Sequence, residues 1–366
     1  MKKMDKTFLG ITLVLLFGGL LIFFSASLGI LAKSQSQFYS VLLSQLVLGL
    51  VFGLIALYAF SKIPYKFWRK HSLYIFLAAI GITALVFVPH IGFSHGGARR
   101  WIALGPVSFQ PVEFLKLGFV IYLAAWLSWL RNKSMNMKIG IIPFAILLAL
   151  VAGILLKQPD TKSLIIMGSA GIVMLFVSGL NWKWIVGFIG VGVALVLVLA
   201  IFRPYVASRI KTYINPSSDI TGSSYQLNQS LIAIGSGGIF GRGYGQSVQK
   251  FNYLPEPQGD SIFAIVGEEL GFIGGSILIL IFIILGVRGL KIANHAPDQF
   301  SRLLGVGVMM VIMTQSFLNI ASIVGLFPLT GVPLVFVSQG GTSLAVALGM
   351  VGIMLQISKH QNNKVA

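Results

Sequence analysis

The sequence predicts an all-α integral membrane protein with ten transmembrane helices, and three observations carry that prediction. Hydrophobic residues make up 56% of the 366 positions and charged residues 10%, whereas a soluble globular chain carries about 25% charged residues. The apolar residues fall in runs long enough to cross a bilayer, without the period-2 alternation of a membrane barrel. Lys and Arg gather in alternate connections, the bias that orients helices in membranes. This pattern excludes a soluble domain, a disordered chain and a coiled coil. The absence of cysteine also excludes a disulfide scaffold and thiol chemistry.

The ten spans read as about 8–32, 39–61, 72–90, 112–130, 139–156, 163–180, 184–202, 261–287, 303–326 and 341–358. Each is near the ~20 residues that cover ~30 Å of hydrocarbon. Lys2, Lys3 and Lys6 before the first span imitate a signal peptide, and Ser25-Ala26-Ser27 imitates its cleavage site. The apolar run continues through Leu28–Leu31, which fits an uncleaved signal-anchor instead. Pro111 suits the first turn of the fourth helix. The fifth to seventh spans are separated by only a few residues. One long connection, about 203–260, follows the seventh. Residues 1–366 form a single polytopic domain.

Orientation follows from charge. With the N-terminus inside, 16 cations fall in the cytoplasmic segments and five in the short outer loops: Lys33, Arg99, Arg100, Lys157 and Lys162. The expected topology is therefore N-in and C-in, with 203–260 and its outlying cations outside, because long loops translocate regardless of charge. The +18 net charge reflects this bias and not a nucleic-acid partner. Of nine acids, all but Asp5 and Asp298 lie in outer loops or in helices adjoining them. Carboxylates at the membrane boundary are costly and tend to mark function. Chemistry or binding on the outer side is expected.

The long connection holds a glycine-dense stretch, Gly235–Ser247. Such glycines serve tight packing and turns, or let backbone N–H groups cradle an anion. A nucleotide site would need a βαβ context that is not apparent here. The five histidines are scattered without metal-ligand spacing, so no structural zinc is expected.

A series of motifs occurs in one order. Gly97-Ala98-Arg99-Arg100-Trp101-Ile102 leads to Gln110-Pro111-Val112-Glu113-Phe114-Leu115-Lys116. Gln158-Pro159-Asp160, Tyr225–Ser230 and Gly235–Ser247 follow. Gln249–Glu256 then runs into Asp260-Ser261-Ile262-Phe263-Ala264 and Gly267-Glu268-Glu269-Leu270-Gly271. Asn319-Ile320, Gly325–Gly331 and Gly340-Gly341-Thr342-Ser343 close the series. From about residue 8 to 358 this resembles the SEDS family (shape, elongation, division and sporulation). The Gly96–Ile102 loop and the Leu329–Leu334 turn look more like its division branch, FtsW, than its elongation branch, RodA.

The resemblance implies a peptidoglycan glycosyltransferase of the bacterial cytoplasmic membrane, placed at the septum. It would polymerise lipid II and release undecaprenyl pyrophosphate beside a class B penicillin-binding protein and other divisome proteins. A lipid-linked precursor transporter and a non-catalytic scaffold are the competing readings. No tightly bound cofactor is implied; a divalent cation, Mg or Mn, held loosely by carboxylates and pyrophosphate is compatible with it. Asp260 is then the candidate general base, and a helix N-cap is its competing role. Arg99, Arg100, Arg242 and Lys250 are candidate pyrophosphate ligands. Lys116, Asp160 and Glu256 are further substrate candidates, while Glu113, Glu268 and Glu269 read as a structural polar network. The chain departs from the family pattern at Pro257-Gln258-Gly259, Ser261, Gln339 and Val112. An aromatic is common at 339, and a histidine at 258.

Overall fold

The computed structural model describes residues 4–95, 98–104, 107–132, 141–202, 204–215 and 224–361. Outside them lie Gly97 of the first motif, Lys133 and Lys138 of the inner-loop count, and Asp219. Helix α1 (Lys6–Leu31) opens the fold, capped by Asp5, whose carboxylate accepts from Phe8 N at 2.9 Å. The second span begins earlier than expected: α2 (Gln35–Leu43) continues through a π segment (Ser44–Val51) into α3 (Phe52–Lys62). Then come α4 (Tyr65–Lys70), α5 (Ser72–Ala84), α6 (Val112–Asn132), α7 (Ile141–Lys157), α8 (Thr161–Val177) and α9 (Trp182–Phe202). The series ends with α10 (Pro204–Ile214), α11 (Tyr225–Ser236), α12 (Ile262–Asn294), α13 (Gln299–Ile323) and α14 (Gly341–Ser358).

Among the described residues, seven helices are long and apolar enough to cross a membrane, and three shorter apolar ones cover Ser72–Phe87, Ile141–Lys157 and Thr161–Val177. The core sits where α6, α13 and α14 pack; α14 is buried along nearly its whole length. By contrast α9 leaves Val191, Leu195 and Leu197 more than half exposed. Such apolar flanks are affordable only against lipid.

Two expectations need correction. The fold is not purely helical: strands β1 (Gly92–His95), β2 (Ala98–Leu104) and β3 (Val107–Phe109) form a small antiparallel sheet before α6. Aromatic and β-branched residues occur there (Trp101, Ile102, Val107, Phe109), which favours pairing once the chain leaves the apolar run. Nor is 203–260 a simple outer loop, since it contains α10 and α11.

The second half of that segment dips beside α12. Gln226 reaches Ser261 at the start of α12 (2.9 Å), and Gly237 packs on the carbonyl of Gly267. Tyr244 donates its hydroxyl to Leu21 O at 2.8 Å, ten residues short of the α1 C-terminus and so roughly 15 Å along its axis. The chain then climbs until Lys250 O meets Gly29. This excursion mends a break in α12 at Gly271, whose φ of 66° no side chain adopts readily. Arg242 N and Gly243 N donate to Glu268 O and Glu269 O, both at 3.0 Å. Phe272 N and Ile273 N donate back to Gly238 O and Ile239 O at 2.9 and 3.1 Å. The amides of Phe272 and Ile273 and the carbonyls of Glu268 and Glu269 thus find partners at the break, as irregular backbone at membrane depth requires.

Candidate functional site

Three chain segments bring charge together at the head of α12. Asp160 caps α8, accepting from Ser163 Oγ at 2.8 Å, and places Lys162 in the first turn. The Lys162 ammonium donates to the carbonyl of Gly331. On α10, Arg209 donates to Thr330 O at 3.0 Å, while Tyr213 donates to Leu326 O at 3.2 Å, so this helix lies across the 326–331 segment. Asp260 occupies the turn before α12, where Gln226 donates to its Oδ1 at 3.2 Å. Asn319 on α13 fastens the turn by donating to Asp260 O (2.6 Å) and Val332 O (2.7 Å).

Gly331 marks the focus of these groups. A methyl group there would lie 3.3 Å from Asp260 Oδ2, 3.8 Å from Arg209 Nη2 and 3.9 Å from Lys162 Nζ. Its φ of 65° is itself a glycine conformation. Arg100 adds a cation beside Lys162: it donates to Gln158 O at 3.0 Å and to Pro159 O. Two carboxylates, Asp160 and Asp260, therefore stand among Lys162, Arg100 and Arg209.

The competing role of Asp260 as a cap does not hold. The N-cap position of α12 is Ser261, and no side chain caps it. Burial raises the Asp260 pKa above the usual aspartate value; the Lys162 charge, the Gln226 hydrogen bond and Arg209 oppose the rise without cancelling it. A half-buried carboxylate with a raised pKa is a better proton acceptor than an ordinary aspartate.

The remaining candidates separate into other places. Lys250 is fully buried and does not face Asp260: its ammonium pairs with Glu269 at 2.7 Å and donates to Gly245 O (2.8 Å) and Ser25 Oγ (3.1 Å). Glu268 accepts from Ser247 Oγ (2.5 Å) and Val248 N (3.0 Å), with Arg242 Nη1 at 3.7 Å. Arg242 and Lys250 thus serve the α12 break and not a pyrophosphate beside Asp260. Lys116 is buried too, paired with Glu113 at 2.9 Å and donating to Gln315 Oε1 at 2.6 Å. Gln315 continues to Ser343 Oγ at 3.2 Å, tying α6, α13 and α14 together. These are internal struts, because a buried ion pair holds its geometry only when its remaining donors are satisfied. Arg99 is exposed on β2, and Glu256 closes the turn before Asp260 through its carbonyl, accepting Gly259 N at 3.0 Å and Ser261 N at 3.3 Å. Among the described residues no three His, Asp or Glu side chains gather as a metal site. Any divalent ion here would depend on substrate oxygens for most of its ligands.

Sequence reasoning missed Arg209 as a site residue and counted Lys162 only among the outer-loop cations. A signal for Arg209 existed: cations at 203, 209 and 211 sit in a segment assigned outside, against the prevailing bias.

A predominantly helical membrane fold that gathers carboxylates and cations at the head of one helix defines a polytopic membrane protein with a charged, partly buried reaction-type site. A family described as "Cell cycle protein", comprising FtsW, RodA and SpoVE, matches residues 6–363. The chain belongs to this family. It is 40% identical over 354 residues to stage V sporulation protein E of Bacillus subtilis, covering 96% of this chain and 95% of that one. It is 36% identical to the probable peptidoglycan glycosyltransferase FtsW of Geobacter sulfurreducens, covering 93% and 91%. Among solved structures, it superimposes with a TM-score of 0.79 and 26% identity on a chain of a peptidoglycan synthase complex that coordinates polymerization and crosslinking, covering 99% of each. The rod shape determining protein RodA of Thermus thermophilus gives 0.71 at 25% identity, covering 98% of each.

Proposed function

We propose that this protein is a peptidoglycan glycosyltransferase that polymerises lipid II on the outer face of the cytoplasmic membrane during cell division. The observation that carries the reading is the convergence of Asp260, Lys162 and Arg209 on Gly331. The 4-hydroxyl of an acceptor GlcNAc attacks C1 of a donor MurNAc and passes its proton to a carboxylate oxygen of Asp260. The bond from C1 to the pyrophosphate oxygen breaks, and undecaprenyl pyrophosphate leaves. An α-linked donor becomes a β1→4 link, so one displacement with inversion suffices. Lys162, Arg209 and Arg100 stabilise the charge gathering on the departing pyrophosphate. Arg99 supports the approach of that anion from the exposed sheet, and Asp160 holds Lys162 in place.

The seven long and three shorter apolar helices support ten membrane passes, and the Lys/Arg alternation supports N-in and C-in ends with the Asp260 site outside. The partner is a class B penicillin-binding protein working at the septum; copurification in detergent tests that part. The test of the activity is reconstitution of the purified protein with lipid II. Glycan strands are expected, and substrate that merely crosses the bilayer without bond formation would overturn the reading in favour of a transporter.

A further inference from the structure

We infer that the outer cleft between the α1–α2 turn and the 252–258 segment is a saccharide subsite that holds the growing glycan away from Asp260. This rests on the reading of the chain as a glycosyltransferase. The cavity measures about 490 Å³, within the ~300–1,000 Å³ typical of small-molecule sites. Gln37, Tyr225, Tyr253, Gln258 and Gln339 line it, and none of Asp260, Lys162, Arg209 or Arg100 does.

Three observations indicate what it takes. Its charged lining is Lys33, Lys250 and Glu256, and the Lys250 ammonium is already paired with Glu269, so the cleft lacks the positive excess that a pyrophosphate needs. Two tyrosine rings and four side-chain amides, those of Gln37, Asn252, Gln258 and Gln339, suit an N-acetylated sugar instead: ring faces against C–H groups, amides against hydroxyl and acetamido groups. Gln258 is 8% exposed, and its Oε1 is buried with no hydrogen-bond partner among the described residues. A ligand hydroxyl that donates to this oxygen would satisfy it.

The cleft also adjoins the reaction site through the chain. Tyr225 precedes Gln226, which donates to Asp260, and Gln258 lies two residues before Asp260. Gln339 N donates to Gln258 O at 2.7 Å. Positions 258 and 339 are two departures from the family pattern, distant in sequence and adjacent in the fold. This chain therefore presents amides where rings are usual, which marks the cleft as a place where saccharide recognition is set.

The chain has no cysteine, so Ser40→Cys puts a single thiol at the exposed cleft wall. A lipid-free, peptide-free GlcNAc–MurNAc tetrasaccharide should slow its labelling by a maleimide about threefold or more. The same slowing is expected in an Asp260→Asn background, and Gln258→Leu should remove it. Ser36→Cys, on the same helix but outside the lining, should be unaffected. Slowing by a free stem peptide in place of the saccharide, or by neither, would overturn the inference. Labelling needs no turnover, so failure to polymerise lipid II would count against the proposed function and leave this result standing.

Discussion

Two clusters of charge lie along α12, and they are built oppositely. Around Glu268, Glu269 and Lys250, two carboxylates are matched by a buried ammonium, two serine hydroxyls and backbone amides. Around Asp260 the cations Lys162, Arg209 and Arg100 spend hydrogen bonds on carbonyls, and Asp260 itself accepts from a neutral amide. The first cluster closes its own account of donors and acceptors and so fixes geometry. The second keeps positive charge facing an open focus at Gly331, an arrangement suited to an incoming anion. Residue type does not separate structure from chemistry here; the degree of internal compensation does.

The strongest way to break this comparison is Asp260→Asn. The variant keeps the shape and the acceptor for Gln226 but loses the proton acceptor. Removal of a general base typically lowers rate 10²–10⁴-fold, so polymerisation of lipid II should fall at least about a hundredfold while thermal stability in detergent stays near wild type. Near wild-type polymerisation would move the base elsewhere, with Asp160 the next carboxylate at the focus.

The matching change in the other cluster is Lys250→Met. It strands Glu269 in the protein interior, and breaking a buried pair costs about 3–5 kcal/mol. The expected result is a large fall in melting temperature and in yield of folded protein. The acidic limb of the pH–rate profile, measured on what remains folded, should not move, because Lys250 is not among the charges that act on Asp260.

Much of this division was legible in the sequence, and the rest was hidden for definite reasons. Apolar run lengths located the helices, since burial in lipid imposes a uniform requirement on every span. Glu113 and Lys116 stand three residues apart, a spacing that by itself lets them pair on one helix face. Lys250 could not be told from a ligand-binding cation, because its partners Ser25 and Glu269 are 225 and 19 residues away. Arg209 was invisible as a site residue because α10 reaches Thr330 across 121 residues. The sheet at 92–109 escaped notice since its strands are short and lie beside a long apolar run. Local spacing reveals local pairs; convergence on Gly331 is a property of the packed bundle.

A smaller perturbation sharpens the comparison at that focus. Gly331→Ala introduces a side chain at φ 65°, a strain of roughly 1–2 kcal/mol, and places a methyl group 3.3 Å from Asp260 Oδ2. Gly325→Ala imposes similar strain at φ 78°, but its nearest neighbours are Leu227 and Leu231 at 3.8 and 4.0 Å. The two variants should lose comparable stability. Only Gly331→Ala should lose polymerisation rate, by about tenfold, as expected for some 1.4 kcal/mol of misplacement. Equal rates in the two would detach Gly331 from the reaction.

The subtlest effect concerns pH. A general base acts when deprotonated, so rate rises with pH through its pKa and saturates above it. Burial holds the Asp260 pKa above the ordinary aspartate value near 3.8, and Lys162 is the largest influence holding it down. The acidic limb of the wild-type profile should therefore stand above the ordinary aspartate range. Lys162→Gln removes the opposing charge, so the protonated form of Asp260 gains and the limb moves to still higher pH. At a pH between the two limbs the variant loses rate twice, through its protonated base and through weaker stabilisation of the pyrophosphate. On the plateau only the second loss remains, so the rate deficit should shrink as pH rises. Arg242→Gln, which touches only the compensated cluster, should leave the limb in place. A limb that stays fixed in Lys162→Gln, or moves to lower pH, would show that Lys162 does not face the base.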